Sequence, residues 1–396
     1  MPADVPAAAR PVEEPEFRTG QVTTISAGHA VHDTYTAFLN PLLPAFKENL
    51  ALSNTWVGAL TVFMQGPSLL QPFIGHLADR VSLRYLVILA PGMTATAMSL
   101  LGVAPAYAIL AFLLMIAGLS SATLHSVAPV MAGRLSGKNL GRGMGFWMVG
   151  GELGRTLGPL AIGAYFALSP DSLAAMPVLM VGGWLASALL YVRLKDVPGR
   201  PPGTGDGLPW RQALGIMKPI LGPLSGIVVA RSFMSAALTT YLAIFLVEGG
   251  ADKAAASFSL SVLEAAGVAG ALLGGSLSDR LGRPAILRIS FLTTPLLMFA
   301  FLFAGDWARL PLLLALGLTS LSVTPVIMAL MQESFPENRA LANGVYMALS
   351  FAIRSVIVVI VGGMGDLWGI RVAFGASAII TFLGLPFVGL LSTRQR

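Results

Sequence analysis

The most constraining feature of the chain is a succession of long apolar segments, interrupted by short connections that carry most of the charged residues. A helix that crosses a membrane needs about 20 mainly apolar residues. Of the 396 residues, 55% are apolar and 11% are charged, whereas about a quarter of the residues of a soluble protein are charged. Because a compact soluble fold cannot bury this much apolar surface, the sequence predicts an all-α membrane protein.

Charges, prolines and glycines divide the apolar sequence into twelve candidate membrane-spanning helices, six on each side of a polar central stretch. The first and seventh candidates are so long that we expect each to include an interfacial turn. The predicted spans are 20–46, 54–78, 84–104, 106–132, 143–167, 175–193, 213–247, 254–278, 285–304, 309–333, 340–365 and 370–391.

Basic residues are distributed unequally between the two sides of the predicted membrane. Eighteen of the 25 Lys and Arg residues lie on one side, four lie on the other and three lie within spans. Because cytoplasmic connections are enriched in Lys and Arg, this asymmetry places both termini and the central linker in the cytoplasm, with the chain in a bacterial inner membrane. The net charge of +6 follows from this topology, so nucleic acid is not expected as a partner.

The two halves of the chain repeat. The stretch GHLADRVSLR at 75–84 recurs about 200 residues later as GSLSDRLGRP at 275–284, and Arg155 corresponds to Arg354, 199 residues on. Duplicated halves of a transporter place a binding cavity between them near the middle of the membrane. The predicted organisation is a disordered tail over 1–18, a six-helix bundle over 19–193, a linker over 194–212 and a second six-helix bundle over 213–396.

The connections after spans two and eight carry the same pattern of glycine, aspartate and arginine. Glycine allows a tight turn and a close approach of helices, and aspartate and arginine can form charge-assisted hydrogen bonds between helix ends. Such a cluster can hold one arrangement of the halves and release it in another. We therefore predict a conformational latch formed by Gly75, Asp79, Arg80, Arg84, Gly275, Asp279, Arg280, Gly282 and Arg283.

This loop pattern resembles the signature cytoplasmic loop of the major facilitator superfamily, although Ser82 and Leu83 stand where that family usually has glycine and a basic residue. Span five contains GRTLGPLAIG, which is similar to the glycine–proline motif of the drug–proton antiporter branch. Small residues four apart let helices touch, and a proline bends a helix. Helix packing is therefore predicted for Gly154, Gly158, Pro159 and Gly163.

A closer resemblance runs along the first half. The segments GHAVHDTYTAFLNPLLPAF, LLQPFIGHLADR and TLHSVAPVMAGRLSGKNLGRGMGFWMVGGELGRTLGPL resemble the fosmidomycin-resistance group of efflux proteins. His29, Asp33, His125 and the Gly-Gly pair of span five carry this resemblance. It implies the major facilitator fold, with two pseudo-symmetric six-helix bundles, and proton-coupled export of a phosphonate antibiotic or another toxic small molecule.

Six ionisable residues stand within the predicted spans, and the three acids balance the three bases. A charge at the centre of a spanning helix costs about 2.5–3.5 kcal/mol on insertion scales, so each charge needs a partner or a function. The pairs Glu152–Arg155 and His29–Asp33 have helical spacing and can meet locally. Arg231 and Arg354 have no acid within four residues, so their partners come from other helices or from a ligand.

Carboxylates and histidines in a dehydrated cavity suit proton coupling. Proton coupling is predicted for Asp33, Glu264, Glu152 and His29. Planar guanidinium groups suit anion binding. Substrate contacts are predicted for Arg231, Arg354, Arg155 and His125. An anion that displaced an arginine from a carboxylate would free that acid to take up a proton, and we expect substrate and proton to exclude each other. Permanent ion pairs between helices are the structural alternative.

The sequence therefore predicts a monomeric secondary-active exporter, which moves an amphipathic or anionic small molecule outward as protons move inward. It contains no Gly-Lys-Ser/Thr phosphate loop and no HExxH or GxSxG motif, so neither ATP use nor enzymatic activity is expected. The 17 methionines would suit cuprous ion, but they form no close cluster with histidine, so no metal and no cofactor is expected. The alternatives are an organic-anion importer or facilitator on the same fold, and a membrane assembly factor or lipid carrier.

Overall fold

The computed structural model describes residues 17–78, 83–137, 139–197, 210–335 and 339–394. These residues form twelve helical segments, several of which are interrupted or change pitch within the segment. The segments are α1 (Thr19–Thr36 and Leu39–Asn49), α2 (Asn54–Gln65, Gly66–Leu70 and Gln71–Ala78), α3 (Arg84–Leu100 and Leu101–Val103), α4 (Tyr107–Leu135), α5 (Leu140–Leu168), α6 (Met176–Leu179 and Met180–Leu194), α7 (Trp210–Ser235, Ala236–Tyr241 and Leu242–Glu248), α8 (Lys253–Leu281), α9 (Arg283–Phe303), α10 (Asp306–Leu321 and Val323–Ser334), α11 (Arg339–Trp368) and α12 (Ile370–Phe382 and Leu385–Arg394).

The predicted all-α membrane fold with twelve helices is confirmed for the described residues. Nine of the helical stretches are long and apolar enough to cross a membrane by length and composition alone. The other three segments are α1, α2 and α5, and the polar residues of the predicted site are concentrated on α1 and α5. The ionisable residues His29, His32 and Asp33 of α1 and Glu152 and Arg155 of α5 lower the mean hydropathy of these two helices.

The interfacial turns predicted for the first and seventh spans, helices α1 and α7, are not found as such in the described residues. Helix α1 is interrupted at Ala37 and Phe38, within the buried part of the segment. Helix α7 runs without a turn, so that expectation was wrong, and the six residues Ala236–Tyr241 adopt π-helical geometry in its interior. A π turn accommodates an extra residue without ending the helix, and such turns occur frequently at functional sites. The predicted tail and linker fall largely in 1–16 and 198–209, outside the described residues.

Glycines bring α1 and α5 into direct backbone contact. A Cβ atom on Gly150, Gly154 or Gly158 would lie 2.4 or 2.5 Å from a backbone oxygen of α1. No side chain fits at these distances, so the two helices pack with their main chains touching. Gly163, further along α5, faces Phe258 of α8, and a Cβ atom on it would lie 2.7 Å from a ring carbon of that phenylalanine. Helix α5 therefore packs against its own half through one set of glycines and against the other half through Gly163.

The apolar core is shared between the halves at one membrane face and divided at the other. Toward the face at which α1 and α7 end, side chains of both halves, including Leu60 and Val361, form one continuous cluster. Toward the opposite face, the first half packs around residues such as Ile25, and the second half packs around residues such as Met217. The halves therefore meet closely on the first face, which we call the sealed face.

Candidate functional site

A cluster of three side chains lies in the first half, where α1 and α4 meet beside α5. His29 Nε2 is 3.2 Å from Asp33 Oδ2 and 3.2 Å from His125 Nε2, and His125 Nε2 is 3.7 Å from Asp33 Oδ1. His29 and Asp33 are buried, while about a third of the His125 side chain is exposed. We call His29, His32, Asp33 and His125 the histidine pocket.

Backbone carbonyls determine which ring nitrogens in this pocket carry hydrogen. His29 Nδ1 lies 3.0 Å from the carbonyl oxygen of Trp147, and His125 Nδ1 lies 2.9 Å from that of Ser121. Because a carbonyl oxygen only accepts, each Nδ1 is the donor, and each Nε2 of a neutral ring presents a lone pair. Two lone pairs then face each other at 3.2 Å, an arrangement that a proton held between the rings would stabilise.

His32 adds a fourth titratable group behind the cluster of His29, Asp33 and His125. Its side chain is fully buried, and within the described residues neither ring nitrogen has a hydrogen-bond partner. His32 Nε2 lies 4.0 Å from Asp33 Oδ1, which also lacks a hydrogen-bond partner among those residues. Unpaired polar groups in a buried position are costly, so this pocket is adapted to more than packing.

Of the acids and bases predicted within the spans, Glu152 and Arg155 pair on their own helix as expected, whereas Glu264 does not pair locally. Glu152 and Arg155 form an ion pair on α5, and about half of the Arg155 side chain is exposed. Glu264 on α8 forms no ion pair or hydrogen bond with another described residue, but it lies within electrostatic range of Arg155 in one half and Arg354 in the other. The charges of the two halves therefore meet around Glu264.

Two arginines of the second half are bound by hydroxyl groups. Arg231 of α7 donates to Thr324 of α10 and, at 3.3 Å, to Tyr346 of α11. Arg354 of α11 donates to the hydroxyl groups of α7, with distances of 2.5, 2.8 and 3.3 Å to Ser235, Thr239 and Thr240, respectively. We call Arg231, Arg354 and these hydroxyl residues the arginine pocket.

Within the described parts of the chain, neither Arg231 nor Arg354 forms an ion pair with a carboxylate. The buried Nε atom of each guanidinium also lacks a hydrogen-bond partner there. The two positive charges are close enough to repel each other. Hydroxyl groups orient the guanidiniums but supply no negative charge, so the pocket has the charge and the free donors to hold an anion.

The two pockets occupy corresponding positions of the repeat. Sequence reasoning paired only Arg155 with Arg354 and missed the aromatic and hydroxyl residues around them. The same offset of 199 would have found two of these residues, Thr324 and Tyr346, because it relates His125 to Thr324 and Trp147 to Tyr346, as it relates His32 to Arg231 and Arg155 to Arg354. Trp147 stacks on His29 at 3.6 Å between ring centroids, and Tyr346 bonds to Arg231.

The second copy of the predicted latch joins three helix ends. Arg283 lies 2.6 Å from Asp279 and 2.7 Å from Glu333, so it connects the ends of α8, α9 and α10. Gly282 links α8 to α9 with a φ of +88°, a conformation that favours glycine. The backbone of Gly275 accepts a hydrogen bond from the hydroxyl of Ser278, and Arg280 lies in the last turn of α8. All of these contacts lie within the second half.

The first copy of the latch is described only in part. Gly75 lies in the last helical piece of α2, and Arg84 begins α3 and donates to the carbonyl oxygen of Val197 at 2.6 Å. Asp79 and Arg80 lie outside the described residues. Pro159, Gly154 and Gly158 lie on α5, and the two glycines contact α1 as described above.

Twelve helices, arranged as two repeated halves around buried charges, define a multi-pass membrane transporter. The model of the family described as Major Facilitator Superfamily matches residues 25–249 and 224–396. The chain belongs to that superfamily, as the loop pattern predicted.

Two curated relatives align over nearly the whole chain. The fosmidomycin resistance protein of Escherichia coli (strain K12) is 22% identical over 410 residues, which cover 100% of this chain and 98% of the relative. The uncharacterized MFS-type transporter YfnC of Bacillus subtilis (strain 168) is 25% identical over 371 residues, which cover 90% of this chain and 89% of the relative. The predicted resemblance to the fosmidomycin-resistance group is confirmed.

Solved structures share the fold. A bacterial homologue of the human lysosomal transporter Spinster, in an inward-facing and unoccupied conformation, superposes with a TM-score of 0.79 at 14% identity and covers 98% of each chain. The nucleoside transporter NupG superposes with a TM-score of 0.74 at 14% identity, over 93% of this chain and 99% of its own. At this identity the similarity concerns the fold alone.

Proposed function

We propose that this transporter exports a small organic anion, which Arg231 and Arg354 bind in the arginine pocket. The observation that carries the proposal is the pair of guanidiniums at mid-helix that have hydroxyl partners but no carboxylate partner in the described residues. Each such charge costs about 2.5–3.5 kcal/mol to place at a helix centre. An anionic substrate would offset this cost in a way that neutral hydroxyl groups cannot.

Export and the class of substrate are supported by the relative from Escherichia coli, whose name links it to fosmidomycin resistance. A transporter confers resistance when it removes the toxic compound from the cell. We assign this chain a comparable role in a bacterial inner membrane, as a monomer with both termini in the cytoplasm. The sealed face would then be the outer face. An amphipathic or phosphonate-like anion fits a pocket that combines guanidinium and hydroxyl donors.

An arginine–carboxylate pair that an anion separates does not by itself make substrate and proton exclude each other. An anion at Arg354 would cancel positive charge that Glu264 faces, and this favours the protonated, neutral form of Glu264. By reciprocity, proton and anion would then promote each other's binding. Glu264 alone would therefore make the two ions travel together, whereas antiport needs a proton site that the anion does not stabilise directly.

The histidine pocket is the proton site that we assign. A proton between His29 Nε2 and His125 Nε2 would be held beside Asp33, and the neighbouring charges of α5 are Glu152 and Arg155. This site belongs to the first half and the anion site to the second, so coupling between them passes through the movement of the halves. Whether proton and anion oppose or promote each other's binding then depends on which conformation each of them favours, and not on the direct Coulomb interaction between them.

Transport into inside-out membrane vesicles tests the proposal, with fosmidomycin as the probe. An acidic lumen should drive accumulation of the probe when the membrane potential is clamped to zero. Arg231→Met and Arg354→Met should each abolish this accumulation, and the exposed Arg193→Met, outside every predicted site, is the matched control. If the arginine variants accumulate the probe as well as the control does, the arginine pocket does not bind it.

A facilitator is the second candidate, because the positive arginine pocket suits export driven by the membrane potential alone. One elementary charge gains about 2.3 kcal/mol from a potential of 100 mV. A lumen-positive potential without a pH gradient would then suffice to load inside-out vesicles. Accumulation that follows the potential and ignores the pH gradient would establish the facilitator and exclude proton antiport.

A further inference from the structure

Between the halves, the sealed face is closed by a fully buried tyrosine of α7. The hydroxyl of Tyr241 donates to the carbonyl oxygen of Val358 on α11 at 2.8 Å and lies 3.1 Å from that of Asn54 on α2. Two glycines make room for it. A Cβ on Gly58 would lie 1.9 Å from the tyrosine oxygen, and a Cβ on Gly362 would lie 2.4 Å from it.

Charged groups surround this tyrosine on the same face. The carboxylate of Asp366, at the end of α11, accepts from the backbone N–H groups of Asn54 and Thr55 at 2.6 and 2.9 Å. A residue of the second half thus caps the N-terminus of a helix in the first half, where the partial positive charge of the helix favours a carboxylate. Two ion pairs, Lys47–Glu248 and Glu48–Lys253, also join the first half to the second half on this face. We call the Tyr241 and Asp366 contacts the seal.

The π-helical turn of α7 carries both the seal residue and ligands of Arg354. Tyr241 is the last residue of the turn, Thr239 lies within it and Ser235 directly precedes it. Arg354 donates to the hydroxyls of Ser235 and Thr239, whereas Arg231 bonds to Thr324 and Tyr346 on other helices. Of the two arginines, Arg354 is the one that contacts the π turn.

We propose that the π turn Ala236–Tyr241 links the anion site to the seal, so that a change at Arg354 repositions Tyr241 and opens the sealed face. A π turn holds one residue more than the α-helix around it. Its conversion to α-helical geometry would rotate the helix beyond it by about 100°, the angle of one residue. Tyr241 would then leave the space between Gly58 and Gly362. The role of Arg354 as the residue that starts the opening rests on the proposed anion site, whereas the contacts of Tyr241 and Asp366 that form the seal do not.

The seal is tested first, without any ligand. The chain contains no cysteine, so Val361→Cys places a single reporter in the core shared by the halves. Its rate of modification by a membrane-impermeant maleimide, applied from the sealed face, measures how often the seal opens. Tyr241→Phe should raise this rate about fivefold, the factor that corresponds to one net hydrogen bond.

Gly362→Ala and Gly363→Ala form a matched pair on adjacent residues of α11. The Cβ at Gly362 overlaps Tyr241, whereas the nearest atom to a Cβ at Gly363 is 3.7 Å away, an ordinary contact. Gly362→Ala should raise the labelling rate at least as much as Tyr241→Phe, and Gly363→Ala should leave it within about twofold, a typical surface-substitution effect. Unchanged labelling in both Tyr241→Phe and Gly362→Ala, in protein that remains monodisperse, would overturn the seal.

The link is tested by comparing Arg354→Met with Arg231→Met in the Val361→Cys background. Both variants remove one arginine of the proposed anion site, but only Arg354 is bonded to the π turn. Arg354→Met should change the labelling rate about fivefold or more, the loss of at least one such bond, and Arg231→Met should change it less than twofold. Equal responses, or none, would overturn the link.

The two proposals fail in different ways in this experiment. If the arginine pocket does not bind the anion, both arginine variants retain transport, whatever happens to labelling. If the π turn does not link the pocket to the seal, both variants lose transport but label alike. Loss of transport in both, with altered labelling in Arg354→Met alone, supports both proposals.

Discussion

The two pockets lie at corresponding places in the repeat but contain different chemistry. The first half places three histidines and Asp33 there, side chains that can bind and release a proton. The second half places Arg231, whose charge is permanent, at the position of His32, and Thr324 at the position of His125, whereas Arg354 keeps the residue type of its counterpart Arg155. Under the proposed function, the first half therefore supplies the proton site and the second half supplies the anion site.

The packing of corresponding helices also differs between the two halves. Gly150, Gly154 and Gly158 let α5 touch α1, and 199 residues later their counterparts on α11 are Leu349, Ile353 and Ile357. The larger residues keep α11 from approaching α7 by the same backbone contact. Close packing in the first half encloses the histidine pocket, whereas the larger residues of the second half leave space between the helices for the long side chains of Arg231 and Arg354.

Exchange of the chemistry between the pockets gives the largest expected effect. Arg231→His should reduce fosmidomycin transport at pH 8 at least about 30-fold, because a buried hydrogen-bonded charge is worth roughly 2–5 kcal/mol. Transport should recover in part at pH 5.5, since the ordinary pKa of histidine is about 6.5 and the ring is charged below it. Arg231→Gln is the control without pH dependence. An identical loss for both variants at both pH values would contradict a role for charge at this position.

Disruption of the close packing in the first half should be the next largest effect. Gly154→Ala should lower the free energy of unfolding by about 1–3 kcal/mol, because its Cβ would lie 2.5 Å from the carbonyl oxygen of Ala30. Gly145→Ala on the same helix, where a Cβ meets no atom within 4 Å, should be neutral or slightly stabilising. Thermal unfolding of the purified variants in one detergent measures both. Equal midpoints would show that α1 can move away from α5 at little cost.

Removal of the acid from the histidine pocket should uncouple transport from the pH gradient. With Asp33→Asn, the accumulation ratio of the probe should no longer rise with the gradient, which contributes about tenfold per pH unit for one proton. Exchange of labelled for unlabelled probe should continue, because the arginine pocket is intact. Asp33→Glu, which keeps a titratable carboxyl, is the control. An unchanged pH dependence in both Asp33→Asn and Glu264→Gln would refute the assignment of the coupling acids.

The predicted latch should give the smallest effect. About two thirds of the Asp279 side chain is exposed, and exposed ion pairs contribute about 0.2–1 kcal/mol. Asp279→Asn should therefore shift the equilibrium between conformations about twofold to fivefold, read as labelling at Val361→Cys, with little change in probe affinity. Ser276→Ala on the same helix is the control. Lost affinity with unaltered labelling would place this loop in the binding site instead.

Sequence reasoning reached those parts of the site that local spacing controls. Glu152 and Arg155 meet because they are three residues apart on α5, and His29 and Asp33 meet because they are four apart on α1. His125 is 96 residues from His29, and its contact depends on how α1 and α4 are rotated about their axes. Hydropathy does not encode that rotation, so the sequence named His125 without its partner.

The sequence by itself determined the number of helices, the repeat and the superfamily, because lipid imposes a length and an apolar composition on every span. It also determined that Arg231 and Arg354 have no local acid. Only the tertiary structure decided that hydroxyl groups of α7, α10 and α11 surround them, and that Tyr241 closes one face of the molecule. Those contacts depend on the approach and orientation of helices distant in sequence, which side-chain packing within the second half and between the halves sets.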